Sequence, residues 1–348
     1  MGVNRIASIC LAGALAVGGT GLGTAALGAD MAVKAPPPSP WVLDVHGFVD
    51  VSFGNTRVTG GGMLLYPTSS ALVQPSIGVS LDIYKDKSGF INSFSVFAGI
   101  WNEVVPDLGS LQSAAGWRHW QEMDWWVGVK VGFAQHWTLT AQHLEFVFPS
   151  PYPTSFPPTG ATFQLPTAVN DVFTLSFNDA YLGLPVTFNP YFQIFYTERG
   201  GSTVIWGKKS DTYRLEAGIV PTISLAKPYG IPLTISAPIF VEFGPSNFWN
   251  RNDGTTNVCG TLSNQPCALS NLAYYSAGLQ GKYTIDSGVV PKRLGTWYVK
   301  GGFQWYHITN EALLAAQTAD ANALYVVQHF ADAKKDPVVW SGGVGFSW

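Results

Sequence analysis

The stretch from Val338 to Trp348 alternates without a break. Val338, Trp340, Gly342, Val344, Phe346 and Trp348 fall on one side of an extended chain, and Val339, Ser341, Gly343, Gly345 and Ser347 on the other. A period of two belongs to a β-strand, because successive side chains there point to opposite faces. One face is greasy and the other small and polar. Such a strand sits between an apolar medium and a polar one, and its length suits an oblique crossing of a bilayer.

The same division recurs along the chain. Leu233, Ile235, Ala237, Ile239, Val241 and Phe243 oppose Thr234, Ser236, Pro238, Phe240 and Glu242. Trp125, Val127, Val129, Val131 and Phe133 oppose Trp126, Gly128, Lys130, Gly132 and Ala134. Twelve segments read as strands: 41–53, 71–85, 89–104, 123–134, 137–148, 168–182, 186–199, 212–226, 231–244, 272–285, 295–309 and 336–348. In 137–148 the alternation changes phase near His143, as a bulge would cause. Pro190, Pro221 and Pro238 lie inside segments, where a proline is confined to bulges, rims and edges.

The connections carry the next inference. By these boundaries they run 17, 3, 18, 2, 19, 3, 12, 4, 27, 9 and 26 residues, long and short in turn. Outer-membrane barrels combine short periplasmic turns with longer outside loops. The expected fold is therefore all-β: a transmembrane antiparallel β-barrel of about 12 strands over 41–348, with both termini periplasmic. Composition agrees. Only 12% of the residues are charged, 14% are aromatic and the net charge is −3. Typical soluble domains carry about 25% charged residues. A disordered chain would be rich in charge and poor in aromatics, and no basic footprint offers itself to nucleic acid. Trp41, Trp101, Trp125, Trp137, Trp297 and Trp348 lie near segment ends, where an aromatic girdle is expected.

Residues 1–28 read as a cleaved signal peptide, with basic Arg5, an apolar Ala- and Gly-rich run and small residues at Ala26, Gly28 and Ala29. Residues 29–40 follow with Pro36, Pro37, Pro38 and Pro40, an extended periplasmic leader. Cys259 and Cys267, in the 245–271 connection, are expected to form a disulfide in an oxidising compartment. In the 310–335 connection Asn310 is placed to cap a short helix.

The leader resembles the mature N-termini of small alphaproteobacterial outer-membrane proteins. The ending Val344, Phe346, Trp348 looks like the C-terminal signal read by the barrel-assembly machinery, with Trp where the family usually has Phe. Over its length the chain resembles the TorF-type porins and related alphaproteobacterial barrels. The resemblance implies a Gram-negative outer membrane, contact with its lipid and lipopolysaccharide, and no cofactor.

Candidate lumen residues follow from the polar faces: Asp44, His46, Asp50, Glu216 and Glu242 against Lys130, Arg199, Arg214, Lys282 and Lys300. Asp44, His46, Asp50 and Ser52 share one face, which admits a catalytic or metal reading, but period two alone puts them there. The His-x-Ser-Asn-Gly signature of outer-membrane phospholipases is absent; the nearest string, His307 to Glu311, lacks the serine. The expectation is a non-enzymatic channel for passive diffusion of small hydrophilic solutes or ions, widened by Gly128, Gly132, Gly278, Gly302, Gly343 and Gly345. Its alternatives are a plugged structural or surface-recognition barrel, and an envelope lipid hydrolase.

Overall fold

The computed structural model describes residues 40–59, 62, 71–106, 120–149, 152–153, 162–163, 167–200, 210–245, 248–249, 271–285, 294–311, 313–314 and 334–348. The expectations for 1–28, for the leader before Pro40, and for Cys259 and Cys267 lie outside these residues.

Twelve antiparallel staves close into one barrel. They are β1 (Trp41–Gly54), β2 (Leu72–Lys85), β3 (Ile91–Val104), β4 (Trp120–Phe133), β5 (Trp137–Val147) and β6 (Ala168–Phe177). Then come β7 (Tyr191–Arg199), β8 in two pieces (Thr212–Ile219 and Thr222–Ser224) and β9 in two pieces (Leu233–Ser236 and Ile239–Phe243). The last are β10 (Leu272–Ile285), β11 (Thr296–Ile308) and β12 (Val338–Ser347). Each stave pairs with its neighbour in sequence, and β12 pairs with β1 from Ser347↔Phe48 to Ser341↔Gly54. Closure removes the edges at which an open sheet would aggregate. An even number of staves puts Trp41 and Ser347 at one end, the terminus end; the long connections leave from the other, the loop end.

The prolines mark where the staves break. Pro221 separates the two pieces of β8, Pro238 those of β9, and Pro190 immediately precedes β7. None donates to the ladder. The gap is bridged instead by Ala237 N–H to the Pro221 carbonyl at 2.8 Å and by the isolated pairing of Thr187 with Thr222. The segments expected at 168–182 and 186–199 are accordingly shorter, and residues 178–190 form an ordered turn. Backbone N–H groups of Phe188 and Asn189 donate to the Asp179 carboxylate at 2.7 and 3.0 Å, which holds that carboxyl below its usual range. Residues 178–190 are as long as the loop-end connection 200–211, so the expected rhythm of connections fails at this point. It fails because a side-chain clamp, not a tight hairpin, makes the turn.

The bulge expected in β5 is absent. Its register with β6 runs unbroken from Trp137↔Phe177 to Phe146↔Ala168. The apparent phase change arises because His143 and Glu145 stand on the outer face, where His143 Nδ1 lies 3.0 Å from Asp171. Elsewhere that face is an apolar belt: Leu43, Val49, Phe53, Ile77, Val79, Val127, Leu139, Leu279, Val299 and Val344 are all exposed. Soluble monomers rarely expose a contiguous apolar patch beyond a few hundred Å². An apolar belt around a closed barrel is the solution that lipid imposes. Trp41, Trp137, Trp297 and Trp348 are exposed at the terminus end. Trp101 is not part of any girdle: it pairs with Ser76 and Asp124 on the inner face, beneath the guanidinium of Arg57.

Val344 and Phe346 of β12, and Trp348 just past its end, face outward, and the first two pair with Val51 and Val49. Gly47 and Trp348 exchange both backbone hydrogen bonds at 3.0 Å. The indole lies where a Cβ on residue 47 would stand, so a glycine is needed there for the ring to seat across the seam.

Candidate functional site

The interior is defined by register. Lys130, Thr140, Thr174, Gln193, Glu216, Glu242 and Tyr274 pair in succession across seven staves and therefore share one face. It is the face opposite the apolar belt. Asp44, His46, Asp50, Arg214, Lys282 and Lys300 lie on it as well, paired with Asp82, Ser80, Ser76, Phe195, Thr234 and Gly343 respectively. Arg199 does not join them. A bulge beside Val169 and Asn170 puts Arg199 opposite Val169, a neighbour of Glu145 on the outer face.

The loop end of the interior is packed. Arg57, just past β1, contacts both Glu103 and Glu122, which face one another across β3 and β4, and Gln74 donates to Glu103 at 3.0 Å. Across the barrel Arg214 binds Glu242 at 2.6 Å, Tyr274 donates to the same carboxylate at 2.9 Å, and Tyr191 donates to Glu216 at 2.7 Å. Burying such charges is tolerable only because each has a partner of opposite sign or a hydroxyl donor. Above them lies an apolar cluster drawn from distant parts of the chain. Phe248 and Trp249, between β9 and β10, and Leu313, between β11 and β12, are buried against Tyr274 and Ile308. Gly62, between β1 and β2, sits so close to Tyr274 and Leu313 that a Cβ there would overlap both. Asn310 caps the turn that delivers Leu313: its side-chain oxygen accepts the Leu313 N–H at 3.2 Å.

The rest of the interior holds two cavities. One cavity of about 550 Å³ is lined by His46, Phe48, Ser80, Trp126, Lys282 and Tyr298. A second, of about 390 Å³, lies between Lys282 and Lys300. Lys300 pairs with Asp50 at 2.7 Å, and Asp50 also accepts from Tyr298 at 2.9 Å and Ser52 at 2.6 Å. His46 Nε2 lies 3.2 Å from both Asp44 and Asp82, three groups with the donor types for a cation. The Lys85 ammonium already lies 3.2 and 2.9 Å from the same two carboxylate oxygens, so the cluster carries its own cation. His307 faces outward and bonds Asp336 at 2.6 Å. Among the described residues no serine or threonine hydroxyl is hydrogen-bonded to either histidine.

The glycines do not widen this interior. Phe97 fills the space at Gly128, Asn92 and Ser93 that at Gly132, and Gln304 that at Gly278. Gln280 and strand backbone close on Gly302, Lys300 and backbone on Gly343, and the Tyr298 ring on Gly345. Phe48 over Gly78 and Trp126 over Gly99 repeat the arrangement. At Gly78, Gly99, Gly128, Gly278 and Gly345 the missing side chain seats a neighbour's ring or amide, so these glycines are sockets that lock adjacent staves.

Sequence reasoning missed Arg57, Glu103, Glu122, Asp82, Lys85 and the Phe248–Trp249–Leu313 cluster. Glu103 and Asp82 could have been found from their alternation within β3 and β2. Arg57 and the cluster residues lie in connections, where no period reports on their direction.

Together these features define a closed twelve-stranded antiparallel β-barrel with a lipid-type exterior and a polar, partly filled interior. No family model matches the sequence, and no curated protein sequence matches it. Among solved structures the chain is similar to the COG4313 outer membrane channel from Pseudomonas putida F1, with a TM-score of 0.45 and 7% identity over 90% of this chain and 100% of that one. It is similar to the NanC porin, with a TM-score of 0.39 and 11% identity over 86% and 98%. It is similar also to the transport unit of the autotransporter AIDA-I from Escherichia coli, with a TM-score of 0.40 and 9% identity over 91% and 92%.

Proposed function

We propose that the chain is an outer-membrane channel of a Gram-negative bacterium for passive diffusion of small hydrophilic solutes, with the terminus end in the periplasm and the long loops outside. The observation that carries this reading is the pair of cavities, about 550 and 390 Å³ and bearing Lys282, Lys300 and His46 on their walls, inside a barrel belted by exposed apolar side chains. Eight strands leave an interior that side chains just fill, whereas 16–18 leave an open pore; twelve leave room for a narrow path. A solute in the interior would pass Lys130, Lys282, Lys300, Asp50, Asp44 and His46, and the packed loop end would be the narrowest part of its path. The protein is not an enzyme on this reading. Its other contacts are membrane lipid and lipopolysaccharide along the belt, and the barrel-assembly machinery at Val344, Phe346 and Trp348. The TorF-type resemblance belongs to the same reading. Planar-bilayer recording of the purified protein tests it: discrete conductance steps are expected, and silence at every voltage would sink it.

The buried cluster of Phe248, Trp249, Tyr274, Ile308 and Leu313 favours a second reading, a plugged barrel whose loops are the working part. Silence that persists after Trp249→Ala and Leu313→Ala would select it.

A further inference from the structure

On the inner face, like charges stand directly opposite one another at four places: Asp44↔Asp82, Glu103↔Glu122, Glu216↔Glu242 and Lys282↔Lys300. Directly opposed like charges destabilise a sheet, so each pair needs something that offsets the repulsion. For the acidic pairs that something is part of the chain. Lys85 touches both Asp44 and Asp82. Arg57 touches both Glu103 and Glu122. Arg214 binds Glu242 while the Tyr191 hydroxyl donates to Glu216.

The basic pair is different. Asp50 pairs with Lys300, not with Lys282, and also accepts from Tyr298 and Ser52. Lys282 has no carboxylate and no hydrogen-bond acceptor among the described residues; its ammonium lies 3.9 Å over the Tyr298 ring. An aromatic face attracts a cation but cannot accept its three N–H groups. One positive charge is left over, and it opens into the 390 Å³ cavity between the two lysines. That volume lies in the range of small-molecule sites. The other side chains on the wall are uncharged amides and hydroxyls, Ser52, Gln74, Thr234, Ser236, Gln280 and Ser341, with Gly281 and Gly301 between them. Amides and hydroxyls that both donate and accept match a ligand that does the same.

We propose that this cavity is a subsite for a small monocarboxylate carrying several hydroxyl groups, of the sugar-acid class. Its carboxylate meets Lys282 and the exposed side of Lys300, and its hydroxyls meet the neutral wall. A single uncompensated charge selects a monoanion over a neutral sugar, which would leave the repulsion in place. The proposal rests on the channel reading for how the solute arrives, but binding itself does not.

The test is isothermal titration of the full-length barrel in detergent with D-glucuronate, glucose and acetate. Saturable binding of glucuronate is expected, with glucose at least tenfold weaker for want of charge and acetate at least tenfold weaker for want of hydroxyls. Lys282→Met should weaken glucuronate binding at least tenfold, and Lys87→Met, in the β2–β3 turn, should leave it unchanged. Lys282→Gln is the second variant should the first fail to fold. Glucose binding as tightly as glucuronate, unchanged binding in both Lys282 variants, or no saturable binding would overturn the proposal. Bilayer recordings separate the two readings: conductance without glucuronate binding ends the subsite alone, and binding without conductance ends the channel alone.

Discussion

The two ends of the barrel interior solve the same packing problem with different parts. At the loop end the space is filled from a distance: Arg57, Phe248, Trp249 and Leu313 arrive from three separate connections to meet Glu103, Glu122, Tyr274 and Ile308. At the terminus end, among the described residues, no side chain from the long loops enters the interior. There the staves fill themselves, ring into glycine, as with Phe97 at Gly128 and Tyr298 at Gly345. The loop end therefore depends on long-range contacts that one substitution can undo. The terminus end depends on local fits that survive loop changes. The described residues that line the cavities belong to the staves and to Trp348, not to the long connections.

The sharpest way to break this contrast is Trp249→Ala. Trp249 is fully buried, and deleting such a side chain costs about 3–5 kcal/mol. Denaturant unfolding from liposomes should show the loss, and single-channel conductance should rise as the loop cluster opens. Arg57→Met comes next. It leaves Glu103 and Glu122 facing one another without their cation, a loss of about 3 kcal/mol for a buried pair. The same unfolding assay should report it, with partial recovery in Arg57→Met combined with Glu122→Gln. A smaller effect is expected at the terminus end. Gly345→Val forces the Tyr298 ring out of its socket, an overpacking cost of about 1–3 kcal/mol, with conductance changing only modestly. If Gly345→Val opens the channel more than Trp249→Ala, the contrast between the ends is wrong.

The mildest expectation concerns the turn at 178–190. Hydrogen bonds from Phe188 and Asn189 lower the Asp179 pKa in the folded protein. A depressed carboxyl contributes stability that is present above its unfolded pKa and is lost as pH falls through the folded value. Protection of the Phe188 and Asn189 amides, measured as exchange relative to the unstructured-chain rate at each pH, should therefore fall only in acid, and Asp179→Asn should abolish that pH dependence. An unchanged acid profile in the variant would remove Asp179 as the clamp.

All twelve staves were legible, because lipid on one side and polar groups on the other impose period two on each of them. The inner position of Asp50, Glu242 and Lys300 follows from the same parity. What parity cannot report is which side chain on the next stave fills a glycine, since that depends on register between strands. By parity alone Gly128 and Gly345 read as open space, whereas Phe97 and Tyr298 occupy them. Nor can it follow Arg57, which leaves the strand pattern at Asn55 and then turns inward. Arg199 was misplaced for a related reason: a single bulge beside Val169 changes its pairing, and nothing in the local residues announces it.

The ladder between β1 and β12 differs from the other eleven in what it asks of folding. Those eleven join staves adjacent in sequence, so each can form as a hairpin grows. The seam joins Phe48 to Ser347, across nearly the whole chain. Its closure entropy grows only slowly with that separation, by about 0.6 kcal/mol for each doubling of loop length, but it cannot be recovered until every intervening stave is in register. The indole of Trp348 against Gly47 thus sits at the pairing with the greatest sequence separation among the described strand pairings. An error in any earlier stave would be felt there as a seam that fails to meet, leaving two exposed strand edges for a neighbouring chain to capture.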